Sequence, residues 1–140
     1  MFESKVRIES DQFLINKKQM EKLIQKRNEL LERAINKSDE KKPRFKKRGQ
    51  LTPRERLAAL IDPGSEFIEL YNMANYLIED SNPESSLPGA NLIAGIGFIE
   101  SVKCLIMVDD SGIKAGATSE ATIEKALGCI DISLKQKLPL

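Results

Sequence analysis

Two apolar runs, residues 92–99 and 104–108, flank the short polar link Glu100-Ser101-Val102-Lys103. This spacing predicts a β-hairpin. A glycine-containing loop, residues 109–117, comes next. It leads into a segment with Ile123, Ala126, Leu127, Ile130 and Leu134 at helical spacing. Thr118 or Ser119 can cap that helix, the five apolar residues mark its buried face, and Lys135 and Lys137 suit the negative end of its dipole. Leu138-Pro139-Leu140 reads as the approach to a further strand. Strand, helix and incipient strand make an unfinished βαβ unit, so the fold class is α/β. Gly95 and Gly97, on alternate positions of the first strand, leave one face bare and predict close packing against it.

Upstream, residues 13–34 carry Met20, Leu23, Ile24, Leu30, Leu31 and Ala34 at helical spacing. One amphipathic helix cannot bury such a stripe alone, so it is expected to pack on the body or on another chain. Residues 36–49 read as a polar, lysine-rich linker. Thr52-Pro53-Arg54-Glu55 is a helix start: Thr52 caps, Pro53 suits the first helical position, and Glu55 bonds back to the cap. Asp62-Pro63-Gly64-Ser65 stops that helix in a turn. Phe67-Ile68-Glu69-Leu70 reads as a short strand, and residues 80–89 as an exposed loop.

Histidine is absent from the 140 residues. That removes the commonest general base, the usual Ser or Cys catalytic pairing and most zinc sites. Cys104 and Cys129 fit no metal-ligand spacing and are expected to be buried thiols. No apolar run approaches the roughly 20 residues of a membrane span, and the first residues lack the apolar core of a secretory signal. A cytoplasmic location is the expectation, or the mitochondrial matrix for a eukaryotic chain. Residues 1–50 hold 15 basic and 8 acidic side chains, and residues 51–140 hold 7 and 13. The chain is a basic arm on a mildly acidic body.

Among candidate site residues, Lys114, Ala115, Gly116 and Ala117 lead. Their glycine lets the backbone approach a ligand, and the helix that follows favours negative charge at its N-terminus. Lys114 is a candidate phosphate contact; an ordinary strand-to-helix turn is the plainer alternative. Asp109 and Asp110, on alternate faces of a strand end, make a poor acid/base pair and a poor metal site. They are read as loop and cap residues. The cations of residues 41–48 could bind nucleic acid or acidic lipid, but Phe45 is their one interleaved aromatic, so a solvated, flexible arm is expected.

Two blocks carry a family likeness. Arg48-Gly49-Gln50-Leu51-Thr52-Pro53-Arg54-Glu55-Arg56-Leu57, with Leu60-Ile61-Asp62-Pro63-Gly64-Ser65 and Phe67-Ile68-Glu69-Leu70, resembles the opening of biotin-dependent acyl-CoA carboxyltransferases. Gly95-Ile96-Gly97, the strand 104–108 and Lys114-Ala115-Gly116 resemble that family's next block. The preceding helix resembles the extension of propionyl-CoA and methylcrotonyl-CoA carboxylase β subunits. The resemblance implies a crotonase-like ββα fold, with residues 1–47 as helical extension and basic linker. Residues 48–140 would be the start of an acyl-CoA-binding domain. It implies transfer of a carboxyl group from carboxybiotin to an acyl-CoA, with biotin on a separate carrier. The remaining carboxyltransferase sequence and a biotin carboxylase/carrier subunit would be partners within an oligomer. No catalytic residue and no metal ligand is assigned within these residues, and Lys114, Ala115, Gly116 and Ala117 fall to substrate binding. The family's oxyanion glycines and biotin half lie beyond the matched blocks, so a truncated portion, inactive alone, is expected. Lys-Ala-Gly stands where Lys-Gly-Gly is usual, which leaves the choice of acyl-CoA open. The rival is a non-enzymatic α/β module whose basic arm binds a protein or nucleic acid.

Overall fold

A computed structural model describes residues 4–140. Three helices precede a three-stranded antiparallel sheet, and one helix follows it: α1 (Asp11–Asp39), α2 (Lys42–Lys47), α3 (Pro53–Leu60), β1 (Ile68–Glu69), β2 (Leu92–Ile99), β3 (Val102–Asp109) and α4 (Glu120–Gln136). The sheet order is β1-β2-β3. The predicted hairpin is present, paired from Leu92↔Asp109 to Ile99↔Val102. Its link is two residues, shorter than expected. Glu100 and Ser101 both take left-handed φ, 49° and 65°, the form a two-residue hairpin turn requires. Neither is glycine; the Asp62 carboxylate holds the turn by accepting from both their N–H groups at 2.8 Å.

The sheet is packed on both faces. Leu92, Ala94 and Leu105 meet Cys129 of α4 on one side. Ile93 and Ile106 meet Leu57 of α3 on the other. The bare face at Gly95 and Gly97 is filled by Phe67. Cys129 is fully buried, and that burial pushes its thiol pKa up. Cys104 is only half-buried, contrary to expectation, because it lies near the hairpin turn.

The start of α3 forms as read. Thr52 Oγ1 accepts from Glu55 N at 3.2 Å, and Glu55 Oε2 accepts from Thr52 N at 2.9 Å. Thr52→Ala is expected to cost about 1 kcal/mol, read as a lower urea midpoint at unchanged slope.

The 36–49 segment is not a flexible linker. The first helix runs on to Asp39, and α2 follows with Pro43 in its first turn. Phe45 is buried, which supplies the anchor that charge counting misses. Gly49, at φ 65°, closes α2: its N–H donates to Lys46 O and that of Gln50 to Phe45 O, both at 3.0 Å. The 80–89 loop is likewise only partly exposed. Ser86 and Pro88 are fully buried, and Arg33 of α1 donates to Pro83 O at 2.7 Å.

Of the two amphipathic helices, only α4 departs from expectation. Met20, Leu23 and Ile24 are exposed, and α1 packs on the body only from Leu30 onward. Of the five α4 residues expected inward, Ile123, Leu127 and Leu134 are 52%, 60% and 73% exposed, while Ala126 and Ile130 are half-buried and Ala126 packs on the core. The face turned inward carries Ala121, Thr122, Lys125, Cys129 and Ser133. Its polar atoms are matched to backbone carbonyls: Thr122 Oγ1 donates to Ala90 O at 2.8 Å, Lys125 Nζ to Leu92 O at 2.5 Å and Gly89 O at 3.2 Å, and Ser133 Oγ to Leu138 O at 2.7 Å. The inward face therefore satisfies backbone carbonyls as well as packing Ala126, Cys129 and Ile132 on the core. Past α4, Pro139 O accepts from Leu105 N at 2.8 Å, so the chain runs alongside β3.

Candidate functional site

The loop from β3 into α4 turns sharply. Lys114, Ala115 and Gly116 have φ of 46°, 54° and 81°, the left-handed region that glycine tolerates and alanine resists. All four residues from Lys114 to Ala117 are exposed. The Gly116 N–H is donated to Ile113 O at 3.1 Å and the Ala117 N–H to Lys114 O at 3.0 Å. Amides turned toward a ligand would therefore come from elsewhere in the loop or from the first turn of α4. Ser119 caps that turn, accepting from Thr122 N at 3.3 Å.

The loop is held from several sides. Lys114 is ion-paired with Glu79. That hydrogen bond is the main reason the Glu79 carboxyl lies below the usual carboxylate range. Asn91 Nδ2 donates to Ala117 O at 3.3 Å. Upstream, Arg56 donates to Asp109 O at 3.0 Å and Arg44 to Ser111 O at 3.2 Å. Asp109 points to solvent and Asp110 is buried, where its Oδ1 accepts from Gly112 N at 3.0 Å and from Ser38 Oγ at 2.6 Å. Asp110 is thus a capping carboxylate. Glu79, Asn91 and Ser38 give no local signal in the sequence, because each acts on residues distant along the chain.

Two clefts border the loop. One, about 640 Å³, is lined by Tyr71, Asn75, Glu79, Glu120, Glu124 and Lys125. The other, about 350 Å³, is mostly apolar, with Met107, Thr118, Ile123 and Leu127 in its wall. The three glutamates make the first a poor fit for anionic carboxybiotin, and the Lys125 amine is already committed to two carbonyls. These residues do not build a biotin site.

A ββα unit with an exposed glycine turn at the helix entrance is the frame on which the comparisons fall. The chain belongs to the carboxyl transferase domain family, whose model matches residues 44–140. It is 34% identical over 113 residues to the biotin-dependent 3-methylcrotonyl-coenzyme A carboxylase beta1 subunit of Mycobacterium tuberculosis, covering 80% of this chain and 20% of that protein. The crystal structure of the P. aeruginosa geranyl-CoA carboxylase beta subunit superimposes with a TM-score of 0.88 at 37% identity, over 99% of this chain and 26% of that one. Transcarboxylase 12S, at 20% identity and a TM-score of 0.64 over 86% of this chain and 23% of that one, shares the fold. The chain spans about a fifth of the length of the curated relative it matches. The fold is part of a crotonase-like α/β architecture, as the two motif blocks imply. Among the described residues no helix is long and apolar enough to cross a membrane.

Proposed function

We propose that this chain is the acyl-CoA-binding portion of a carboxyltransferase that moves a carboxyl group from carboxybiotin to an acyl-CoA. Residues 1–47 serve as its helical extension and residues 48–140 as the start of the binding domain. The observation that carries this reading is the exposed Lys114–Gly116 turn, tied down at both ends where α4 begins. In this reading the thioester lies against the turn, and the positive end of the α4 dipole favours charge developing on its oxygen. The apolar cleft beside Thr118 suits an acyl chain. Biotin, brought on a separate carrier, supplies the carboxyl group. The M. tuberculosis relative is described as biotin-dependent, and the transcarboxylase as a hexamer that binds methylmalonyl-CoA. By analogy this chain works in an oligomer, with further carboxyltransferase sequence and a biotin carboxylase/carrier subunit, in the cytoplasm or the mitochondrial matrix.

The test is reconstitution. The chain is combined with a second polypeptide carrying the remaining carboxyltransferase sequence and with a carboxylated biotin carrier, and 3-methylcrotonyl-CoA carboxylation is followed. Activity is expected only when all are present. No activity in the full mixture would overturn the reading. Robust activity of this chain with carrier alone would remove the claim that it needs further sequence. The nucleic-acid reading of residues 41–48 gains no support from the fold: Phe45 is buried, Lys42 pairs with Glu55 at 3.2 Å, and Arg44 is bound to the site loop.

A further inference from the structure

Ser38 is 4% exposed, at the far end of a helix that is otherwise largely in solvent. Its hydroxyl donates to Asp110 Oδ1 at 2.6 Å, across 72 residues of sequence. The same oxygen accepts from Gly112 N at 3.0 Å, so one buried carboxylate oxygen joins the helical extension to the first turn of the site loop. The approach leaves no slack. A Cβ on Gly112 would stand 2.9 Å from both Ser38 Cα and Ser38 O. Arg44 of α2 and Arg56 of α3 grip the backbone on either side of Asp110, at Ser111 O and Asp109 O. The extension therefore reaches the site at its base, where the loop leaves β3.

We infer that Ser38 is a positioning residue for the 110–117 loop, acting through Asp110, so that the helical extension sets the backbone on which the acyl-CoA lies. The acyl-CoA part of this inference rests on the proposed function; the positioning part does not. Without the hydroxyl, the carboxylate keeps only the Gly112 amide, and the loop loses its one side-chain bond to α1. A buried hydrogen bond to a charged group contributes on the order of 1.5–3 kcal/mol, which corresponds to roughly a tenfold or greater change in loop opening and ligand affinity.

The test uses the full 140-residue chain with two readouts: amide hydrogen exchange and the Kd for 3-methylcrotonyl-CoA. In Ser38→Ala, exchange at Ile113, Gly116 and Ala117 is expected to speed up about tenfold and Kd to rise by a similar factor. Exchange at Ala94 and Leu105 in the sheet should stay as in the parent. Asp110→Asn keeps an oxygen acceptor for both donors but loses the charge, so it is expected to fall between the parent and Ser38→Ala on both readouts. Should Ser38→Ala not fold, Ser38→Cys keeps the volume with a weaker donor and should show the same pattern at smaller amplitude. Unchanged loop exchange in the Ser38 variants overturns the inference. So does acceleration spread equally through the sheet, or an Asp110→Asn variant as loose as Ser38→Ala. Faster loop exchange with unchanged Kd leaves the positioning role standing and removes the acyl-CoA reading of the loop.

Discussion

Between pH 8 and pH 10.5 the chain is expected to gain up to about 3 kcal/mol of stability relative to a Lys125→Met variant. Lys125 is 3% exposed. Burial is the main cause that brings its pKa down from 10.5 to about 8, against the opposing pull of Glu69. Below pH 8 the folded chain holds a proton on this amine at a cost. Above pH 8 the folded amine is neutral, while the unfolded chain keeps its proton until about pH 10.5. The unfolded state then binds more protons, so unfolding free energy rises with pH and the burial penalty fades. The neutral amine can still donate to Gly89 O and Leu92 O, so both carbonyls keep a partner after the deprotonation. The difference between the two proteins isolates this residue from the other groups that titrate there. Urea unfolding at pH 7.5, 9 and 10 measures it, and parallel pH slopes would contradict the assignment. The site is tied to this amine: the two carbonyls it holds, Gly89 O and Leu92 O, bracket the left-handed turn through Gly89, Ala90 and Asn91, φ 99°, 52° and 55°, from which Asn91 reaches the site loop.

Gly95→Ala is expected to cost about 3 kcal/mol or more, since overpacking against an immovable neighbour is among the severer core changes. Its new methyl would stand 2.5 Å from Phe67 Cζ and closer still to the Ile68 carbonyl oxygen. The ring could turn away; the backbone oxygen could move only by displacing β1. That strand is two residues long, paired as Ile68↔Ile96 and Glu69↔Gly95, and its loss frees Glu69 from Arg54. Gly97→Ala is the control. Its methyl meets only side chains, at 3.2 Å or more, so about 1 kcal/mol is expected. Equal costs for the two glycines would show that β1 yields easily.

Patterns that close over a few residues were legible in the sequence. Thr52 and Glu55 are three apart, the hairpin pairs near neighbours, and Gly95 and Gly97 announced a close approach that Phe67 fills. The exposed turn at Lys114 was visible from its glycine. What holds that turn was not, because Ser38, Glu79 and Asn91 reach it across 26 to 72 residues. Helical periodicity also misjudged α4. It ranked faces by apolarity, whereas the fold turned inward the face with Thr122, Lys125 and Ser133, whose partners are carbonyls that no local pattern reveals. The run 41–48 misled for a related reason: a single buried ring, Phe45, outweighs its surrounding charges once α3 and the site loop are there to receive it.

The proposed place of the acyl-CoA is against the Lys114–Gly116 turn. Titration of isotopically labelled chain with 3-methylcrotonyl-CoA, followed by backbone amide shifts, tests it most directly. Saturable shifts are expected at Lys114, Ala115, Gly116 and Ala117 and in the first turn of α4. A saturable response confined to residues 41–48, or no response in the loop at any concentration, would contradict it.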